Sequence, residues 1–381
     1  AAMLHKSLND AAGTDGFSAA RGLLYAGLAL EGRELWIEAA LTALDGLMER
    51  EILKDGGHIS RSPAALFEIL TLLIDTSAAL MAGGYPTPEA VDMAIERAAG
   101  AVRFFRLASG GLASFHGGFS PDAAVIDQAL NLAVLEGKLF QTLPQSGFER
   151  MAQGRSLVIF DAGAAAPGGH DGAAHAAPLG FEFWHGKDAV FAACGNHPLS
   201  AEWQDFLRGT AAHNALTLDS RNACEIRETG GFGRKNRRTE TRRMDTKTYL
   251  LAEGLHDGYE SLNGLIHRRR LYLGDKGHDL RGEERLSCTI GKPLQSSRFD
   301  IRFHLHPRAV VSLIQGGTAA LLRLPGGSGW RFHHQGGQLS IEESVWVEGD
   351  QPPRKTTQLV ISGAVSEAET LLKWALQREG V

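Results

Sequence analysis

Cysteine is scarce and unpaired in this chain. Cys194, Cys224 and Cys288 make an odd count with no Cys-x-x-Cys spacing, which argues against a disulfide framework or a cysteine-ligated zinc site. Long apolar runs are lacking too: no stretch reaches the roughly 18 uninterrupted apolar residues that a membrane span requires, so no span is expected. Nor is there a dominant charge. Lys plus Arg number 39 against 44 Asp plus Glu, a formal net charge of −5, too balanced for a nucleic-acid binder held by phosphate charge. The start, Ala1-Ala2-Met3-Leu4-His5-Lys6, shows no basic segment followed by an apolar one, so no secretory signal is visible. The chain opens in what reads as a helix, and the expectation is a fragment whose true N-terminus is missing. Length and histidine are what it has in plenty. At 381 residues it exceeds twice the usual domain length, and with 43% hydrophobic and 22% charged residues it has an ordinary globular composition. Fifteen histidines are the oddity.

Two periodicities divide the chain. Up to about residue 143, apolar residues return every three or four positions in Phe17 to Leu30, Glu34 to Leu53, Pro63 to Met81 and Pro88 to Leu107, which predicts amphipathic helices in series. Thr87 reads as an N-cap with Pro88 at the first helical position, and Ser120-Pro121-Asp122 opens a further helix. From Phe148 onward come short alternating or β-branched runs. They are 156–160, 180–184, 189–193, 215–218, 248–252, 265–273, 299–306, 309–314, 319–324, 329–333, 338–341 and 357–362, separated by Gly, Asp, Asn and Pro clusters. This pattern predicts an antiparallel assembly rather than a parallel one. Leu371 to Gln377 reads as a return to helix. The expected organisation is an α+β multidomain chain, with a helical domain over 1–146 and an antiparallel β-sandwich domain over 147–381.

Charge follows the same division. Residues 1–146 hold 10 Lys and Arg against 17 Asp and Glu, a net of −7, and the remainder 29 against 27, a net of +2. Arg227, Arg234, Lys235, Arg237, Arg238, Arg242 and Arg243 fall within 17 residues, and His267-Arg268-Arg269-Arg270 follows. Such a run serves either to hold an anionic chain or as a solvated strand edge.

The histidines concentrate the chemical interest. A Gly-rich loop, Gly168-Gly169-His170-Asp171-Gly172-Ala173-Ala174-His175, leads into the apolar segment Leu179-Gly180-Phe181-Glu182-Phe183, and Arg208-Gly209-Thr210-Ala211-Ala212-His213-Asn214 follows. Histidines on either side of a hairpin can meet at a sheet end around a metal or a carboxylate, though each alone serves equally as a satisfied polar residue. His58, between Asp55-Gly56-Gly57 and Arg61-Ser62-Pro63, precedes a helix and faces a cleft or caps it. Arg61 either holds a carboxylate or pairs with an acid such as Glu68. Tyr259, in the Asp257-Gly258 turn, is a hydroxyl partner for substrate or a packing anchor. His304 and His306 share a strand face.

These segments resemble the heparinase II/III-type polysaccharide lyases. The resemblance rests on His175, Leu179, Phe181 and Glu182, then Gly195, then Arg208, Thr210, Ala211, Ala212, His213 and Asn214 in the same order. Asp55-Gly56-Gly57-His58-Ile59-Ser60-Arg61-Ser62-Pro63, His256-Asp257-Gly258-Tyr259, His267-Arg268-Arg269 and Phe303-His304-Leu305-His306-Pro307 match as well, so it covers about residues 55–340. It implies a partial α/α toroid followed by a large antiparallel β-sandwich. It also implies β-elimination on a uronate-containing glycan in the cleft between the two domains, and a place in the periplasm or cell envelope, with the cytoplasm left open because no signal is visible. Carried over residue by residue, His58, Arg61, His175, Asn214 and Tyr259 become candidate catalytic residues. His116, Arg208, His256 and Arg268 become substrate-binding candidates, and His175 with His213 a zinc pair. Ala173, Ala177 and Ala193 stand where the family carries a histidine, an acid and an aspartate. The zinc site is therefore expected to be weak or empty, with His170 or Asp171 as a third ligand from the loop. Three functions follow as expectations: a lyase, a non-catalytic anionic-glycan binder, and a hydrolase with paired carboxylates such as Asp55 and Asp122.

Overall fold

The computed structural model describes residues 11–133, 137–197, 200–289, 296–349, 351–365 and 367–380. The opening helix expected from residue 1 lies partly outside these residues. Two compact units divide the chain: 1–106, 110–146 and 166–174 form the first, and 107–109, 147–165 and 175–381 the second.

The first unit is helical. Its helices are α1 (Gly13–Ala29), α2 (Glu34–Glu51), α3 (Pro63–Ala82), α4 (Glu89–Phe105) and α5 (Ala123–Leu132). Each buries the stripe its apolar period defines, as α4 does with Val91, Ala94, Ile95, Ala98, Val102 and Phe105. Ser62 caps α3 by accepting from the Ala65 amide at 3.3 Å, with Pro63 at the first helical position. That cap decides where the helix starts. Helix α3 is also long and apolar enough to cross a membrane by length and composition, but it carries Glu68 and Asp75, and Leu66, Ile69, Leu70, Leu73 and Leu80 are buried within the protein. At α4 the expected cap moves by one residue: Pro88 is the N-cap and the helix begins at Glu89, because the Thr87 hydroxyl is engaged by Ser77 Oγ at 2.9 Å. Glu89 and Asp92 then meet the positive end of the helix dipole.

The second unit is built from three sheets. One has five strands in the order β1 to β5 (Thr142–Leu143, Phe148–Gln153, Ser156–Asp161, Phe181–His185, Asp188–Phe191). The eight-stranded sheet runs β13-β14-β15-β18-β11-β10-β9-β8, and another five-stranded sheet runs β6-β16-β17-β12-β7. Their ranges are β6 Gly195–Asn196, β7 Leu216–Leu218, β8 Thr239–Asp245, β9 Tyr249–His256, β10 Leu265–Gly274, β11 Asp279–Cys288 and β12 Ser297–His304. They continue with β13 Val310–Ile314, β14 Ala319–Arg323, β15 Gly329–Gln335, β16 Gln338–Glu348, β17 Arg354–Val365 and β18 Glu369–Arg378. Strands β2 to β5 and β7 to β18 pair antiparallel, and the short β6–β16 contact is parallel. Two short helices, Ala201–Leu207 and Glu260–Asn263, interrupt the strands.

A single apolar core joins the three sheets, and aromatic side chains dominate its centre. Phe181 stacks on Trp374 at 5.7 Å between centroids, and Phe303 meets the same indole edge-on at 4.9 Å. Gly282 lies opposite Trp374 in the β11–β18 register, where any Cβ would collide with the indole; the large residue on one strand requires none on the other. Truncating such an aromatic typically costs about 3–5 kcal/mol.

The helix expected over 371–377 is a strand instead. In β18, Leu372, Trp374 and Leu376 point into the core while Lys373 and Gln377 face out, a period of two that high helix propensity in Leu, Lys, Ala and Gln conceals. Neighbours β11 and β15 bond both of its edges.

Candidate functional site

The Asp55–Pro63 segment builds the helical unit's site. After α2 the chain reverses sharply: Ile52 bridges His58, Leu53 N–H donates to Gly57 O at 2.8 Å, and Gly56 N–H donates to Leu53 O at 2.9 Å. Gly56 has φ +83°, and a Cβ there would strike the Arg97 carbonyl; one at Gly57 would strike the Ser146 hydroxyl. Asp55 locks the turn. Its carboxylate accepts from the amides of Gly57, Gln145 and Ser146 and from the Ser146 hydroxyl at 2.7–3.0 Å. Arg61, with φ +65°, donates from Nε to Ser146 O at 2.7 Å. Both charged residues of the motif thus fix the loop to residues 145–146. Arg61 is therefore corrected from a candidate catalytic residue to a buried structural clamp, and Asp55 is too fully bonded to serve in a hydrolytic pair. Asp122, its proposed partner, is exposed at the start of α5.

His58 is the residue this scaffold presents. Its Nδ1 lies 2.7 Å from Ser60 Oγ and accepts from the Ser60 amide at 3.2 Å, which leaves Nε2 as the protonated nitrogen, 3.1 Å from Glu51 Oε2. Glu51 also accepts from the Gly13 amide at 2.8 Å. Burial alone would raise the Glu51 carboxyl; its bonds to His58 and Gly13 outweigh that and hold it below the usual range. His170 meets His58 edge-on with ring centroids 6.1 Å apart. Glu51, His58 and His170 form the one group of three metal-capable side chains found among the described residues, their ligand atoms all within 4.8 Å of one another.

A cleft of about 690 Å³ opens beside them, walled by His58, Ser60, Ser62, Glu68, His116 and His170 among others. His116 is buried, with φ +52°. Desolvation and the nearby Asp15 raise the Glu68 carboxyl. No Lys or Arg is found among the described residues that wall this cleft.

In the sheet unit the expected site residues are held by structure. His175 and His213 do come together, ring centroids 4.4 Å apart and planes tilted by 32°. His213 Nε2, however, donates to Leu207 O at 2.9 Å, and no third histidine, cysteine or carboxylate completes a metal set around the pair among the described residues. His170, one expected third ligand, sits against His58 instead. Two imidazoles, one already spent on a carbonyl, do not fit a zinc ion.

Asn214 is corrected from catalysis to bracing. Its amide donates to Phe181 O at 2.8 Å and its carbonyl accepts from His304 N–H at 2.7 Å. Tyr259 is corrected likewise: it is 0% exposed, its hydroxyl donates to Leu216 O at 2.8 Å and lies 3.2 Å from Arg221 O, and burial pushes its pKa up. Neither can reach a substrate. His256, expected to bind substrate, lies in a buried relay. The Gly258 amide donates to His256 Nδ1, His256 Nε2–H to His267 Nδ1 at 3.1 Å, and His267 Nε2–H to Glu284 at 2.8 Å. Glu284 also accepts from Arg269 and Trp374. Burial opposes the Glu284 charge, yet Arg269, His267 and Trp374 pull its pKa down to about 2. Both imidazoles are lowered, mainly by burial. Arg268 pairs with Glu253 at 2.6 Å, and buried Arg208 packs over Phe232 with Nη2 3.4 Å from Gly231 O. Each is engaged by neighbours within the sheet unit.

Within the basic run at 227–243, Arg234 bonds the carbonyls of Asn222, Ala223 and Gly258, Arg238 pairs with Glu240, and Arg243 with Glu149. Sequence reasoning missed Glu51, which reads as one more acid on an amphipathic helix. The signal was its place seven residues before His58, across a turn short enough to bring them together.

Comparison with known proteins fits this picture. The model of the heparinase II/III-like C-terminal family matches residues 136–375. FtsZ-localized protein C of Caulobacter vibrioides is 34% identical over 371 residues, covering 93% of this chain and 64% of that protein. Heparan sulfate lyase HepC from Pedobacter heparinus superposes with TM-score 0.76 at 14% identity, covering 98% of this chain and 62% of the lyase. A heparinase III gives 0.78 at 14% identity, with 96% and 60% covered. The chain thus spans somewhat under two thirds of the length of these relatives. With that family model matching residues 136–375, more than half of its length, the chain is a divergent member of the heparinase II/III-like family.

Proposed function

We propose that this chain is a polysaccharide lyase that opens a uronate-containing glycan by β-elimination in the histidine-lined cleft of the helical unit, which we take to be part of an α/α toroid. The observation that carries the reading is the gathering of His58, His116 and His170 on the walls of one 690 Å³ cleft, with His58 oriented by Glu51. Elimination needs a partner for the uronate carboxylate, a base for the proton α to it and an acid for the departing glycosidic oxygen. Imidazoles serve the first two near neutral pH, and Glu68, its carboxyl raised at the cleft wall, is suited to give up a proton. His58 and His116 stay from the expected set as the substrate-facing residues. On this reading the chain works where a polymeric acidic substrate is met, at the cell envelope.

Incubation with alginate, glycosaminoglycans and pectic acid should raise the absorbance of the unsaturated product on at least one of them, and His116→Ala should abolish the rise. A flat trace across the panel removes the reading. Non-catalytic glycan binding is favoured by a specific observation: Asn214, Tyr259 and His213 are consumed in bracing the sheet unit. It predicts binding that weakens with salt and leaves no new double bond.

A further inference from the structure

We infer that Glu51, His58 and His170 form a binding site for a borderline divalent cation, zinc being the probe of choice, at the edge of the helical unit's cleft. Two imidazoles and one carboxylate are the donor set of open zinc sites, which keep a position for water or substrate. The spacing suits it. Ions held at about 2.0–2.1 Å by tetrahedral ligands keep those ligands roughly 3.4 Å apart. Glu51 Oε2 and His58 Nε2 stand at 3.1 Å, and all three ligand atoms fall within 4.8 Å of one another.

Two further observations point to a ligand. Glu51 is a carboxylate only 1% exposed, and its partners are one amide and one imidazole, with no Lys or Arg paired to it among the described residues. Buried charge is costly without a counter-charge, and a cation would supply one. His170 supplies the second. It lies half-buried on the Gly168-Gly169 loop, against His58, and its ring makes no hydrogen bond among the described residues, so its nitrogens remain available to a metal. At His58, binding requires a tautomer change. The Nε2 proton leaves to solvent and a solvent proton is taken up at Nδ1, where Ser60 Oγ at 2.7 Å accepts it in place of the Ser60 amide bond.

The site stands on this geometry alone. Its consequence for elimination rests on the lyase reading: a cation here would neutralise a uronate carboxylate that Glu51 would otherwise repel. Metal binding is therefore measured without glycan. Calorimetric titration of the full chain with zinc at neutral pH should give one ion per chain. Affinity should fall at least about 100-fold in His170→Ala and Glu51→Gln and stay unchanged in His213→Ala. His170→Ala is the decisive variant, because its half-buried ring bears no hydrogen bond among the described residues and its loss should leave the fold intact, as an unchanged thermal melt would verify. Absence of zinc binding to the parent chain overturns the proposal, as does retention in His170→Ala or loss in His213→Ala, which would move the ion to the sheet unit. Zinc binding without lyase activity would leave the metal site standing and remove the lyase reading alone.

Discussion

His256 and His267 hand a hydrogen bond from a backbone amide to Glu284 with every ring nitrogen assigned, whereas His170 in the helical unit offers its ring to no hydrogen bond among the described residues. The buried pair in the sheet unit and His170 in the helical unit spend the same residue in opposite ways. In the sheet unit, imidazoles join interior polar groups that a large aromatic core would otherwise leave unsatisfied: His304 links Ala211 O and Ser344 Oγ, and His185 bonds Ser156 Oγ. In the helical unit, the Gly-Gly turn and the Gly-rich loop carry histidines to a cleft wall. Motif similarity alone does not tell these uses apart. The burial of the partner groups does.

The sharpest way to break this comparison is to unbalance the sheet unit's buried charge. Arg269 and Glu284 are both 0% exposed and bonded at 2.7 Å. Arg269→Met strands a carboxylate in the core and should cost about 3–5 kcal/mol, read as a large fall in the denaturant midpoint. The double variant Arg269→Met/Glu284→Gln should recover much of the loss. An undiminished midpoint in the single variant would show that the pair is not what holds β10 to β11.

This pair also explains what the sequence hid. Strand β11 lacks a clean apolar alternation because Glu284 occupies a core-facing position, so the stretch Asp279 to Cys288 shows charge where alternation should show an apolar residue. The missing cue is across the sheet, at Arg269, its register partner on β10. Strands such as β10 and β12 were legible from their own alternation, and the helices from their apolar stripe. Of the site, the turn holding His58 could be read locally. Its link to His170, more than a hundred residues on, depends on how a glycine-rich loop packs, and no periodicity records that.

Acid should separate the units next. Burial, with Arg378 and Arg155 nearby, lowers His185 to about 4, and burial, with His213 and Arg302, lowers His304 to about 3. Each is neutral when folded but takes a proton when unfolded below about pH 6.5, so the stability they contribute is present above that pH and is lost as pH falls toward the folded values. Between pH 6.5 and 5.5 these two alone should cost about 2 kcal/mol. The Glu284 contribution goes later, as pH drops below the ordinary carboxylate range toward 2. Denaturant melts across pH should show this slope, and His185→Asn/His304→Asn should flatten it. A parent chain equally stable at pH 5.5 and 6.5 would mean that these rings are solvated.

The smallest effect discriminates most finely. Tyr259→Phe removes one hydroxyl bonded to Leu216 O and leaves the ring, which packs 5.7 Å from His256, in place. Losing one such bond while an acceptor stays buried should cost about 1 kcal/mol, visible as a small shift in midpoint. Glycan turnover per folded molecule should not change, because the hydroxyl faces the sheet core. Were Tyr259 to carry a proton to or from substrate, turnover would fall by roughly 10² or more at nearly constant stability. The ratio of the two losses therefore decides whether this tyrosine belongs with the bracing histidines of the sheet unit or with the cleft.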